Sequence, residues 1–174
     1  MISLSRSLSP FPRTLVVAFL LLLCWEIPDG DAQQAKPNLS GSWRLIPAKT
    51  VHPQWWHEMK DYSCVIKVDG PKISMTHIHQ GGPIETEVYF TDDKEHLASP
   101  LNKEQQMRAK THWDGNVLVI EKKRQAGASR ARVWTNRYEL SEDGKLLRVS
   151  GHYLKSPFSD KPFDVIWTFE KQPR

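Results

Sequence analysis

The sequence predicts an all-β protein, an antiparallel up-and-down barrel of about eight to ten strands with one short helix or loop lid. Three observations carry that expectation. Apolar residues alternate with polar ones from Gly41 onward, the two-residue period of a half-buried strand. No stretch of ~10 residues sustains a helical apolar period bounded by caps. Turn dipeptides recur between the alternating runs about every ten residues, the spacing of a sandwich or barrel.

Strands are expected near residues 42–46, 62–68, 72–79, 84–91, 107–113, 117–123, 130–140, 146–154 and 163–171. Asp69-Gly70, Asp114-Gly115 and Asp143-Gly144 each separate two of them. Asp-Gly supplies the positive φ that tight hairpin turns need. Gly81-Gly82-Pro83 serves a fourth hairpin and residues 125–129 a fifth, so the chain meanders. Residues 47–60 break the pattern after the first strand. There Pro53 is placed to start a short helix. The cluster His52, Trp55, Trp56, His57 and Met59 makes this segment either a lid over one end of a barrel or part of the core, where bulky aromatics usually pack.

Alternation also assigns faces. Trp43, Cys64, Ile66, Ile73, Met75, Trp134, Tyr138, Val149, Trp167 and Phe169 fall on the inward phase, as do Ile84, Thr86, Val88 and Phe90 of the fourth expected strand. Glu85 and Glu87 fall outward, to pair across strands with Arg108 and Lys110 at the surface. His77, His79 and Asn136 share the inward phase. A barrel of eight or more strands has room for side chains or one small ligand, and polar groups on an inward face satisfy one another or meet that ligand.

Residues 1–32 read as a secretory signal and residues 33–174 as a single domain. Arg6 and Arg13 supply the positive region, Leu15 to Trp25 is an apolar run of eleven, and Gly30-Asp31-Ala32 ends on a small residue. Eleven apolar residues are too few to span a bilayer, which takes ~20. Cys24 follows Leu22-Leu23, where lipidation expects small residues, so an acylated anchor is the weaker reading and stays open. The expected localisation is secreted or periplasmic, after cleavage near Ala32. Cleavage leaves Cys64 as the sole cysteine, a buried and inert thiol with no disulfide partner. It also leaves 22 basic against 17 acidic residues, a mild charge of +5. The whole chain is 39% apolar and 25% charged, which excludes a disordered, collagen-like or polytopic membrane protein.

No Gly-x-Ser-x-Gly elbow, two-histidine zinc-protease motif, glycine-rich phosphate loop or paired-cysteine metal site is present. His77 and His79, two apart on a strand, share a face and could chelate one metal. No third ligand can be placed, so neither a metal nor a cofactor is assigned. Lys122, Lys123, Arg124, Arg130 and Arg132 bracket one hairpin loop as a basic rim for an anionic surface. Without interleaved exposed aromatics, that rim argues against nucleic acid as the partner.

Gly41-Ser42-Trp43 resembles the Gly-x-Trp signature of lipocalin and calycin barrels, in which the tryptophan closes the barrel floor. Longer phrases resemble those of a largely uncharacterised family of exported bacterial lipocalin-like proteins. They are Asn38-Leu39-Ser40-Gly41-Ser42-Trp43-Arg44-Leu45, Pro47-Ala48-Lys49, residues 113–121, residues 140–145, and Phe169-Glu170-Lys171-Gln172. The resemblance covers about residues 38–172 and implies a barrel, export and a structural role for Trp43. Lipocalins proper carry a late arginine over that tryptophan, and Lys171 is the nearest cation here. Their Thr-Asp-Tyr type motif is absent.

The leading expectation is therefore an exported lipocalin-like protein that binds a small, largely apolar molecule, with Trp55, Trp56, His77, His79 and Asn136 as ligand contacts. A second reading is an envelope structural or interaction module whose barrel is filled by its own side chains. A third is an enzyme using His77 and His79 as acid/base or metal groups.

Overall fold

The computed structural model describes residues 35–53, 61–99, 106–124, 132–155, 159 and 161–173. The signal segment, Trp55 and Trp56 with the helix expected after Pro53, and Arg130 lie outside the described residues.

Ten strands form: β1 (Gly41–Leu45), β2 (Tyr62–Asp69), β3 (Lys72–His79), β4 (Gly82–Phe90), β5 (Glu95–Ser99), β6 (Met107–Asp114), β7 (Val117–Arg124), β8 (Arg132–Leu140), β9 (Leu146–Lys155) and β10 (Phe163–Lys171). They make one sheet in the order β4-β3-β2-β1-β10-β9-β8-β7-β6-β5, with every ladder antiparallel. Its two edges, β4 and β5, are consecutive in the chain and lie against each other without a ladder. The sheet is thus an up-and-down barrel that is closed except at that seam. The only helical element among the described residues is a single 3-10 turn, Pro47–Lys49.

The floor follows from the first strand. Trp43 is fully buried, its indole N–H donates to the Leu39 carbonyl at 2.9 Å, and the Lys171 ammonium lies 5.2 Å from the ring centre. Lys171 thus takes the place over the tryptophan that the resemblance reserves for a late cation. Ile66, Ile73, Leu118 and Leu147 belong to the same core, with side chains essentially removed from water.

β5 falls outside the expected strands for a physical reason. Its sequence Glu-His-Leu-Ala-Ser does not alternate: Leu97 is exposed, while Ala98 and Ser99 are both buried across a register shift. A bulge of this kind erases the two-residue period.

The faces of β4 are the reverse of the expectation. Glu87 and Tyr89 are buried, whereas Ile84 is 59% exposed and Thr86 points out. Gln80 and Gly81, both at positive φ, make a two-residue turn that sets His79 opposite Gly82 and Ile78 opposite Pro83. Continued without interruption, that register would bring Ile84 and Thr86 inward. Instead the ladder slips between His77 and Ile78, so His77 faces Glu85 and Met75 faces Glu87, with Ile84 as the extra residue. One inserted residue exchanges the faces of everything that follows. Arg108 and Lys110 pair not with Glu85 and Glu87 but with Glu95 and Asp93.

Candidate functional site

The barrel holds a cavity of about 330 Å³ that is partly open to solvent. Its wall is mostly apolar and aromatic: Met75 on β3, Trp134 and Tyr138 on β8, Val149 and Tyr153 on β9, Trp167 and Phe169 on β10. Trp134 stacks on Tyr153 at 5.8 Å, and Tyr153 on Phe163 at 4.8 Å, which stiffens one side.

The polar part of the wall is built around Glu87. Its Oε2 accepts from the Lys122 ammonium at 2.9 Å, from His77 Nε2 at 2.9 Å, and from the Tyr89 hydroxyl. The far side of the imidazole, Nδ1, bonds the Tyr62 hydroxyl. Burial alone would raise the Glu87 carboxyl, but the Lys122 charge and the bonds from His77 and Tyr89 hold it well below the usual carboxylate range. Burial pulls Lys122 down, yet the facing carboxylate wins and keeps its affinity for the proton above normal. The Lys122 ammonium also lies 5.0 Å from the Tyr89 ring and 5.8 Å from the Trp134 ring. A second ion pair joins Arg124 to both oxygens of Glu85 at 3.0 and 3.1 Å. Burial, then the Glu87 charge, push the Cys64 thiol up to about 12, so it is no nucleophile at neutral pH.

His77 and Asn136 both line this cavity. His79 is half-buried at the end of β3, opposite Tyr62, and does not line it. No cluster of three metal-ligating side chains occurs among the described residues. The basic rim expected from the sequence is dismantled. Lys122 is 3% exposed and belongs to the interior, Arg124 is tied to Glu85, Lys123 pairs with Glu95 at 3.2 Å, and Arg132 lines the cavity. The reason is period two: Leu118, Ile120, Lys122 and Arg124 share one face of β7. That phase is legible in the sequence and would have placed Lys122 inside. Glu85 and Glu87 escaped because a slipped register leaves no mark in composition, whereas Tyr62 shares the unbroken phase of Cys64 and Ile66 on β2 and was legible.

No protein-family model matches the chain, and no curated protein matches its sequence. Solved structures do share its architecture. The zebrafish ileal bile acid-binding protein complexed with cholic acid superposes with a TM-score of 0.53 at 13% identity, over 76% of this chain and 98% of that one. The chain shares that barrel fold. A REP1-NXSQ fatty acid transporter (TM-score 0.53, 11% identity, 78% and 97% of the two chains) has the same fold. So does a variant of the fluorescent protein UnaG (0.51, 12%, 78% and 97%). At such identities the likeness concerns the path of the chain, and the chemistry of the cavity is its own.

Proposed function

We propose that this protein is an exported lipocalin-like carrier, of the bacterial kind its sequence phrases resemble, that binds a small, largely apolar molecule inside the barrel. The observation that carries the reading is the cavity. At about 330 Å³ it has the size of a small-molecule site. Of its charged residues, Glu85 and Glu87 are matched to Arg124 and Lys122, Arg132 adds a guanidinium to the wall, and most of the remaining lining is aromatic and aliphatic. The bile acid and fatty acid proteins of the same fold make such guests the first to try.

Trp134 and Trp167 line the cavity and report directly on occupancy. Titration with a panel of fatty acids, fatty alcohols, bile acids and isoprenoids is expected to change tryptophan emission and raise the melting temperature for at least one class. No change in either across the panel refutes the carrier reading. Export is tested separately: produced with its leader in a bacterial host, the protein is expected in the periplasm or medium with Gln33 at its N-terminus. An intact Met1 chain in the cytoplasm refutes that part.

A further inference from the structure

The direction of each hydrogen bond around Glu87 decides what kind of guest the cavity accepts. An ionised carboxylate only accepts, and Glu87 is ionised because the Lys122 ammonium sits 2.9 Å away in the interior. His77 Nε2, 2.9 Å from the same oxygen, must therefore carry a proton. The tautomer that donates from Nε2 leaves Nδ1 as an acceptor. Its partner there is the Tyr62 hydroxyl, which must spend its only proton on that bond. Tyr62 lines the cavity with its phenol oxygen able to accept and unable to donate.

We propose that the guest carries a hydrogen-bond donor, an alcohol hydroxyl or an N–H, on its apolar body, and that the Tyr62 oxygen receives it, with His77 and Glu87 holding Tyr62 in the accepting state. The cavity is on this view a site for apolar alcohols and amides in preference to ethers and esters of the same shape. The inference rests on the carrier reading and narrows it. Glu87 and His77 act as positioning residues, since they set the proton on Tyr62 without needing to touch the guest.

The test uses a long-chain primary alcohol and its methyl ether, matched in length, on the mature protein. The alcohol is expected to bind about five- to tenfold more tightly, the factor that one net neutral hydrogen bond gives. Tyr62→Phe keeps the ring that packs against His77 and Phe169. It is expected to leave ether binding unchanged and reduce the alcohol to the ether's affinity. His77→Leu releases the Tyr62 proton for donation, so the ether is expected to gain on the alcohol, a change that mere loosening of the wall does not produce. Equal affinity of the two ligands for the wild type, or tighter binding of the ether, overturns the proposal and leaves the carrier reading standing. Equal discrimination in Tyr62→Phe overturns it too. Failure of both ligands and of the wider panel overturns the carrier reading itself.

Discussion

Replacing Lys122 with methionine removes the ammonium while keeping an unbranched stem among Tyr89 and Trp134. Glu87, only 4% exposed, then has no ammonium beside it and must either stay charged in the interior or take up a proton. Breaking a buried pair by deleting one partner costs about 3–5 kcal/mol, because the remaining ion has lost both water and its counter-charge. For a domain of ~140 residues this is a fall of roughly 10–20 °C in melting temperature. The pH dependence supplies the decisive sign. In the wild type the Glu87 carboxyl is held below its unfolded value, so its contribution is complete above about pH 5 and is lost as the pH falls toward the folded value. In Lys122→Met the main lowering charge is gone, leaving the bonds from His77 and Tyr89 against burial, which raises the carboxyl and is expected to win. The folded variant then holds a proton that the unfolded chain releases. Its deficit should shrink as the pH falls from about 7 to about 5, a range over which the Glu87 contribution to the wild type is level. Calorimetry of both proteins across that range measures the two slopes. Glu87→Leu/Lys122→Met, which removes both charges, should recover most of the loss. A single-variant loss below about 1 kcal/mol, or parallel pH profiles, refutes the buried pair as the electrostatic centre of the cavity.

Gly151→Ala should cost about 1–3 kcal/mol by overpacking, read as a lower urea midpoint with an unchanged slope. An added Cβ would meet Val165 Cγ2 at 2.9 Å, Trp167 Cζ3 at 3.0 Å and Asn136 Oδ1 at 3.1 Å. Cys64, with its thiol pushed up to about 12 by burial and the Glu87 charge, should resist a disulfide reagent at pH 8 in the native protein and react fully once unfolded. Rapid native reaction would mean that this part of β2 opens readily.

Much of the barrel was legible because most of its strands obey one rule. Trp43, Ile66, Met75, Trp134, Val149 and Phe169 all face inward as alternation requires, and Gly70, Gly115 and Gly144 take positive φ next to the Asp residues that marked the turns. Asn136 and His77 were placed on the inward face by the same rule, and both reach the cavity. What stayed hidden has two physical causes. The Ile84 bulge is a property of pairing between β3 and β4, so local alternation pointed Glu87 outward when it forms the centre of the polar wall. Lys122 was read as part of a basic run, a contiguity in sequence, although strand neighbours point to opposite faces and only Lys123 of that pair reaches water. Charge runs in strands carry meaning only after they are split by phase.

The ion pairs also bear on how an open seam is held. A buried pair is seldom more stabilising than well-packed apolar side chains of the same volume, so stability alone is a weak reason for Glu87 and Lys122 to stand inside. Their position offers a better one. β4 has a ladder on one side only, with β3, and lies at the seam beside β5. Glu85 and Glu87 reach past β5 and β6 to Arg124 and Lys122 on β7, two links through the interior where ladder hydrogen bonds are missing. They hold the edge strand in a geometry that its slipped register leaves otherwise underdetermined, and the same links fix one wall of the cavity. Glu85→Gln/Glu87→Gln keeps side-chain size while weakening both links. Amide hydrogen exchange is then expected to accelerate along the end of β4 that carries residues 84–88, and far less in β8 or β9, which are laddered on both sides. Exchange that rises equally in β4, β8 and β9 would mean that the pairs contribute only to global stability and that the seam is held by packing alone.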